Sequence, residues 1–230
     1  MPVSSMLAGK LPVTGLLTGM SFVLILAFSI PLGIFTARHA GGRLDRAMTA
    51  VNQALMAIPA FVTGILLTYV FGLVLRWFVP GNYVSPGDNF GASLWYFLFP
   101  AVSIALPRVA MTVKMLRSSI LSELQKDYVR TSHSRGNSDR ATLYRHVLRN
   151  AMGPVVSFLA MTVADIVAGS VVIEQVFSLP GLGRMLLTSI ANRDYPVVQA
   201  VVVIVAFWVV LVNLLADLIN QRLDPRLRLT

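Results

Sequence analysis

The 230-residue chain has no cysteine, ten acidic residues and three histidines, and only 13% of its residues are charged. Without cysteine there is neither a disulfide framework nor a thiolate metal site, and the redox compartment stays open. His39, His133 and His146 show no H-E-x-x-H or comparable ligand spacing and each lies among arginines. Solvated or interface positions suit them better than a metal. No G-x-x-x-x-G-K-[ST] stretch occurs, since Gly9-Lys10 lacks the upstream glycine, so no nucleotide hydrolysis is expected in this chain. "GLGR" at 181–184 lacks a preceding strand and the third glycine of a dinucleotide fingerprint, and reads as a turn. No G-x-S-x-G positions a nucleophilic serine. Catalysis and resident cofactors are not expected.

What the chain does have is apolar length. It is 56% hydrophobic, with a mean hydropathy of +0.72, which no ordinary water-soluble domain approaches. Crossing a hydrocarbon core of roughly 30 Å takes about 20 helical residues. Runs of that length occur at 13–37, 54–79, 94–116, 153–174 and 197–220. Helices are the expected form, because unsatisfied backbone groups in lipid cost several kcal/mol each and no ten-residue barrel alternation is present. The fold class is all-α, a polytopic membrane bundle with about five spans.

The net charge of +9 becomes informative through its distribution. Arg38, Arg43 and Arg46 follow the first run, eight basic residues from Lys114 to Arg149 lie between the third and fourth, and Arg222, Arg226 and Arg228 end the chain. The positive-inside rule places these segments in the cytoplasm, with the N-terminus outside and the C-terminus inside. Anionic lipid, rather than nucleic acid, is the partner this charge implies. A cleaved signal peptide over 11–37 is the alternative for the start, but the apolar run is too long and no small-residue site closes it.

Two outer connections differ in character. Residues 79–93, "VPGNYVSPGDNFGAS", form a turn-rich connector. Residues 174–196 begin with a break at Pro180, Gly181 and Gly183. Met185, Leu186, Leu187 and Ile190 then recur at helical spacing, which predicts a short helix along the outer surface.

The densest polar run is 127–150, "DYVRTSHSRGNSDRATLYRHVLRN". Its first nine residues can form two helical turns, Gly136 and Asn137 stop them, and Ser138 can cap a second helix reaching about residue 150. In that second helix Leu143, Tyr144, Val147, Leu148 and Ala151 share one side. The first helix has little to bury in its own chain and suits docking on another protein.

This stretch, continued through "AMGPVV", resembles the cytoplasmic motif of bacterial ATP-binding-cassette importer permeases of the dipeptide, oligopeptide and nickel branch. "SIPLGIFTA", "ALMAIPAF", "FPAVSIALP", "VVIEQVFSLPGLGRML", "ANRDYPVVQA" and "LVNLLADLINQRLDPRLR" follow in the order that branch shows. The wider superfamily writes the motif as Glu-Ala-Ala, three residues, Gly, nine residues, Ile-x-Leu-Pro. Arg130, Thr131 and Ser132 take the first three places here, Gly136 fits, and His146, Leu148 and Arg149 take the later ones.

The resemblance implies one permease domain over 1–230 with the type I importer fold, lacking the branch's usual first span. It implies work with two ATPase subunits that bind the ATP, a second and different permease chain, and an external substrate-binding protein, in the bacterial inner membrane. The cargo would be dipeptides, oligopeptides or a related small solute such as a nickel complex. Asp127, Arg130, Thr131, Ser132, His133, Arg135 and Gly136 would form the ATPase-docking coupling helix. A charged side chain at mid-span costs roughly 2.5–3.5 kcal/mol and normally faces a cavity or partner. Asp165 in the fourth span and Arg108 in the third are therefore the candidates for the translocation pathway. The competing classes are a membrane scaffold using the helix pair for recruitment, and a secondary transporter.

Overall fold

The computed structural model describes residues 3–223, and no strand occurs among them. Arg226 and Arg228, expected on the cytoplasmic side, lie outside the described residues. The helices are α1 (Val3–Ala8), α2 (Leu11–Arg38), α3 (Arg43–Ala57), α4 (Ala60–Leu67), α5 (Phe90–Leu124), α6 (Asp127–Ser134), α7 (Asp139–Thr142), α8 (Leu148–Val176), α9 (Leu182–Ala191) and α10 (Tyr195–Leu223). Two π-helical turns join the sequence, Thr68–Val74 after α4 and Leu143–Val147 between α7 and α8.

Four helices are long and apolar enough to cross a membrane: Ser4–Arg38, Phe90–Leu124, Asp139–Val176 and Tyr195–Arg222. The fifth expected span, 54–79, is not one straight helix. Arg43–Ala57 and Ala60–Val74 form a pair bent by 92°. Proline explains the break: Pro59 has no N–H to give and disfavours helical backbone at the residue before it, and Ile58 is extended with ψ 119°. α3 is amphipathic, with Asp45 buried and Met48, Asn52 and Leu55 half-buried on one side, so it runs crosswise to the spanning arm Ala60–Val74.

The helices pack through small and short side chains. Ser21, Ser29, Gly33 and Thr36 of α2 are buried at helical spacing, and a Cβ on Gly33 would lie 2.7 Å from Leu116 Cδ2 of α5. Such close approach substitutes for the hydrophobic drive that helix pairs lack in lipid. Ser21 and Thr36 donate to their own helix at Leu17 O and Leu32 O, so burying their hydroxyls leaves nothing unpaired. Phe97, Phe177, Leu17, Ile104 and Leu116 fill the centre. α10 lies outermost, and its Val203, Phe207 and Val210 are about two-thirds exposed, an apolar face suited to lipid.

Candidate functional site

The polar segment is built from its anchors outward. Lys126 has extended backbone and starts α6 without a side-chain cap. Glu123, at the end of α5, takes Lys126 Nζ at 2.6 Å on one oxygen and the Tyr128 hydroxyl at 2.9 Å on the other. Burial pushes the Tyr128 hydroxyl above its ordinary range, so it remains a neutral donor to Glu123. Val129 is buried. The Ser132 and Thr142 hydroxyls pair at 2.9 Å, and Asn137 Nδ2 donates to Ser132 Oγ at 3.1 Å. Two helices and the turn between them are thus pinned at one buried point.

That turn depends on Gly136, whose φ of +82° lies in the left-handed region that L side chains avoid. Its N–H donates to His133 O at 2.9 Å and closes α6. Ser138 then accepts from Ala141 N and caps the next helix. The expected second short helix is not separate. α7, the π turn and α8 run on as Asp139–Val176, because Leu143, Val147 and Ala151 are buried and nothing breaks the helix where polar residues give way to apolar ones. Tyr144, expected on the same apolar side, is 46% exposed.

The candidate docking residues divide by face. Asp127, Arg130, Thr131, His133, Arg135 and Gly136 are exposed. Arg130 and Asp127, a helical turn apart, are 84% and 98% exposed, and their 4.0 Å contact is a loose surface pair. Ser132 faces inward at 7% exposure and holds the turn. His133 Nδ1 lies 3.4 Å from Asp139 Oδ1, across the turn.

A second anchor steadies the neighbouring helix. Arg117 of α5 forks onto Asp45 of α3, Nε to Oδ1 at 2.8 Å and Nη2 to Oδ2 at 2.6 Å, and Gly41 N donates to Oδ2 at 2.9 Å. The hydrogen bond from Arg117 first, and that from Gly41 second, hold the Asp45 carboxyl below the usual carboxylate range. A depressed carboxyl contributes its stability above the unfolded value near 4 and loses it as pH falls through the lower folded value. The bridge is therefore expected to be insensitive to pH between about 5 and 8. Replacing Asp45 by Asn is expected to destabilise the chain by about 3 kcal/mol, the low end for a broken buried pair, because Arg117 is still 29% exposed. Thermal unfolding in detergent measures it.

In the spans, Arg108 and Asp165 come together. Arg108 Nη2 donates to the Asp165 main-chain carbonyl at 2.9 Å, and Nη1 to Ile104 O at 3.2 Å. No ion pair forms between the two side chains, and Asp165 stays exposed on the face of α8 that also carries Ser157, Met161 and Ala168.

The end of the bundle away from α6 holds a constellation that motif reading missed. Glu174 of α8 is fully buried. It accepts Thr14 Oγ1 at 2.6 Å and Arg184 N at 3.0 Å, while Leu182 N donates to Thr14 Oγ1 at 2.8 Å. A carboxylate on the first N–H groups of α9 suits the helix's positive end. Gly183 permits the fit: a Cβ there would sit 2.5 Å from Val171 Cα, which is backbone and cannot yield. The one visible signal was "EQVFSLPGLG", a glutamate shortly before a Pro-Gly turn inside an apolar chain.

Sequence comparison places relatives beside this geometry. The family described as "Binding-protein-dependent transport system inner membrane component" matches residues 29–229. The "Probable peptide ABC transporter permease protein y4tP" of Sinorhizobium fredii is 34% identical over 229 residues, 99% of this chain and 72% of that protein. The "Oligopeptide transport system permease protein AppB" of Bacillus subtilis is 36% identical over 228 residues, 98% of this chain and 72% of the relative. The "Nickel import system permease protein NikB" of Staphylococcus aureus is 33% identical over 228 residues, 99% of this chain and 66% of the relative. Among solved structures, an inward-facing form of the MetNI methionine ABC transporter has a TM-score of 0.76 at 16% identity, covering 97% of this chain and 98% of that one. At that identity the likeness speaks for the fold alone.

Proposed function

The chain belongs to the binding-protein-dependent transport system inner membrane component family, and on that premise we propose how it works and what it carries. It is the multi-pass permease subunit of an ATP-driven importer, which acts with ATPase and substrate-binding partners. Its cargo, in this reading, is a dipeptide, an oligopeptide or a related small solute such as a nickel complex, a range supported by relatives named for peptide, oligopeptide and nickel transport. The assembly contains two ATPase subunits and a second, different permease chain. The N-terminus lies outside and the C-terminus in the cytoplasm in this reading, which the distribution of basic residues supports.

One observation carries the coupling role. α6 buries only Val129 and Ser132 in its own chain, yet it is pinned at its base by the Ser132, Thr142 and Asn137 bonds. A helix that is rigidly attached and has an unpartnered polar face can be moved as a lever by another protein. Asp127, Arg130, Thr131, His133 and Arg135 supply that face, and Ser132 and Gly136 aim it. When ATP closes the ATPase pair, α6 moves as a rigid body and α5 and α8, attached at its two sides, reorient.

Copurification with two nucleotide-binding subunits, followed by ATP-dependent uptake into vesicles, tests this reading. Uptake by the chain without ATPases, abolished when an ion gradient is collapsed, would make it a secondary carrier instead.

Asp165 and Arg108 line the pathway in this reading. The free Asp165 carboxylate attracts a cationic group of the cargo, while Arg108 shapes the α8 backbone beside it. Asp165→Asn is expected to lower uptake of cationic substrates by roughly tenfold, the lower end of what a hydrogen bond to a charged group contributes. Equal uptake of cationic and neutral substrates before and after the change would assign Asp165 to packing.

A further inference from the structure

A crevice of about 340 Å³ opens at the inner end of the bundle, where α2, α5 and α6 finish and α7 begins. Its rim carries Arg38, the last residue of α2, with Arg140 of α7 and His133 of α6, and its floor includes Ile120 and Leu124 of α5. Arg38 and Arg140 have no side-chain partner among the described residues. The one carboxylate at the rim, Asp139, is turned to His133 at 3.4 Å. Two arginines without a carboxylate partner therefore line the opening, beside Leu124, which is 36% exposed.

We infer that this crevice binds the phosphate headgroup of an anionic phospholipid of the inner leaflet, seated between the transmembrane ends and the coupling segment. The chemistry fits a phosphodiester. Guanidinium forks match its oxygens, and the apolar floor continues into α2 and α5, where the glycerol and first acyl carbons of a lipid would lie. Basic pockets between spans on the cytoplasmic side are suited to such headgroups. A free phosphate would meet the same arginines but gain nothing from the exposed Leu124.

The placement has a functional consequence. The rim joins α2 and α5 to both sides of the Gly136 turn, so a bound headgroup ties the base of α6 to the bundle. The inference rests on the cytoplasmic placement of α6. It goes beyond diffuse attraction of a basic loop to the membrane, because it assigns two particular arginines and a cavity.

The test uses the assembled complex in phosphatidylcholine nanodiscs with increasing phosphatidylglycerol, reading lipid retained after transfer to detergent by native mass spectrometry. Arg38→Ala with Arg140→Ala is expected to weaken retention by roughly twenty- to thirtyfold, from about fivefold per basic residue near the surface. Arg38→Lys with Arg140→Lys should keep most of it. Arg43→Ala with Arg46→Ala, on the same side but outside the crevice, should leave it unchanged. Equal weakening by that control pair would reduce the site to diffuse charge and overturn the inference. So would displacement by inorganic phosphate as effective as by phosphatidylglycerol. Loss of the ATPase subunits from the Arg38/Arg140 variant would instead make the crevice an ATPase contact, whereas retained ATPases with lost lipid support the site.

Discussion

Replacing Gly136 by valine is expected to leave an assembled complex that hydrolyses ATP but imports little. The argument is local. Gly136 has φ +82°, and a Cβ added there meets nothing within 4 Å, so the substitution creates strain without a clash. An L residue held in left-handed backbone costs roughly 1–2 kcal/mol, more when β-branched. That is too little to unfold a bundle whose core lies elsewhere, and the turn relieves it by opening. Opening shifts the angle of α6 and breaks the Asn137 bond to Ser132, so the ATPase grips a helix that no longer drives α5 and α8. Uptake is expected to fall by at least about tenfold while ATP hydrolysis persists, tenfold being the equivalent of ~1.4 kcal/mol. Asparagine tolerates left-handed backbone best among non-glycine residues, so Gly136→Asn should retain more uptake than Gly136→Ala, and Gly136→Ala more than Gly136→Val. Equal uptake by all three would remove the turn from the coupling path.

Glu174→Ala is expected to be the most damaging single change to the fold. It removes the acceptor for Thr14 Oγ1 and Arg184 N together and leaves a void where Gly181 packs against the carboxyl group. Removing one partner from a buried charged hydrogen-bond network costs about 3–5 kcal/mol, a large share of the stability of a single domain. The damage should appear as low membrane yield and early unfolding in detergent. Glu174→Gln keeps an acceptor oxygen and should recover much of the yield. If alanine matched the native residue in yield and unfolding temperature, this end of the bundle would be held by apolar packing of Leu7, Leu182, Val197 and Val201 and not by the carboxylate.

The sequence made the long spans legible because a window of about 20 apolar residues carries the signal by itself. It also showed the end of α6, since Gly136 and Asn137 mark a stop that needs no tertiary help. The bend at Pro59 was visible as a residue but was lost inside a continuous apolar run, where hydropathy does not register a missing N–H. The merger of α7 into α8 was hidden for the opposite reason. Polar and apolar halves look like two elements, while the backbone follows the buried row Leu143, Val147 and Ala151.

Side-chain facing was the least legible part. Ser132 belonged to a motif, yet its partner Thr142 lies ten residues on across a turn. Thr14 and Glu174 meet 160 residues apart, and Asp45 and Arg117 meet 72 apart, pairings that depend on how α2, α3, α5 and α8 assemble. Arg108 and Asp165 were singled out for their charge, and the contact between them runs through a backbone carbonyl that no residue type announces.

The absence of native cysteine permits a direct test of the coupling face. Arg130→Cys gives this chain a single thiol on the outward side of α6, and Thr188→Cys gives one on the exposed side of α9 at the other end of the molecule. With a thiol-to-amine cross-linker applied to the assembled importer, Cys at 130 should join to an ATPase subunit at a rate that changes when ATP is added, and Cys at 188 should not. An Arg130→Cys chain that never joins an ATPase subunit, in a complex that still imports, would contradict the assignment of α6 as the coupling helix.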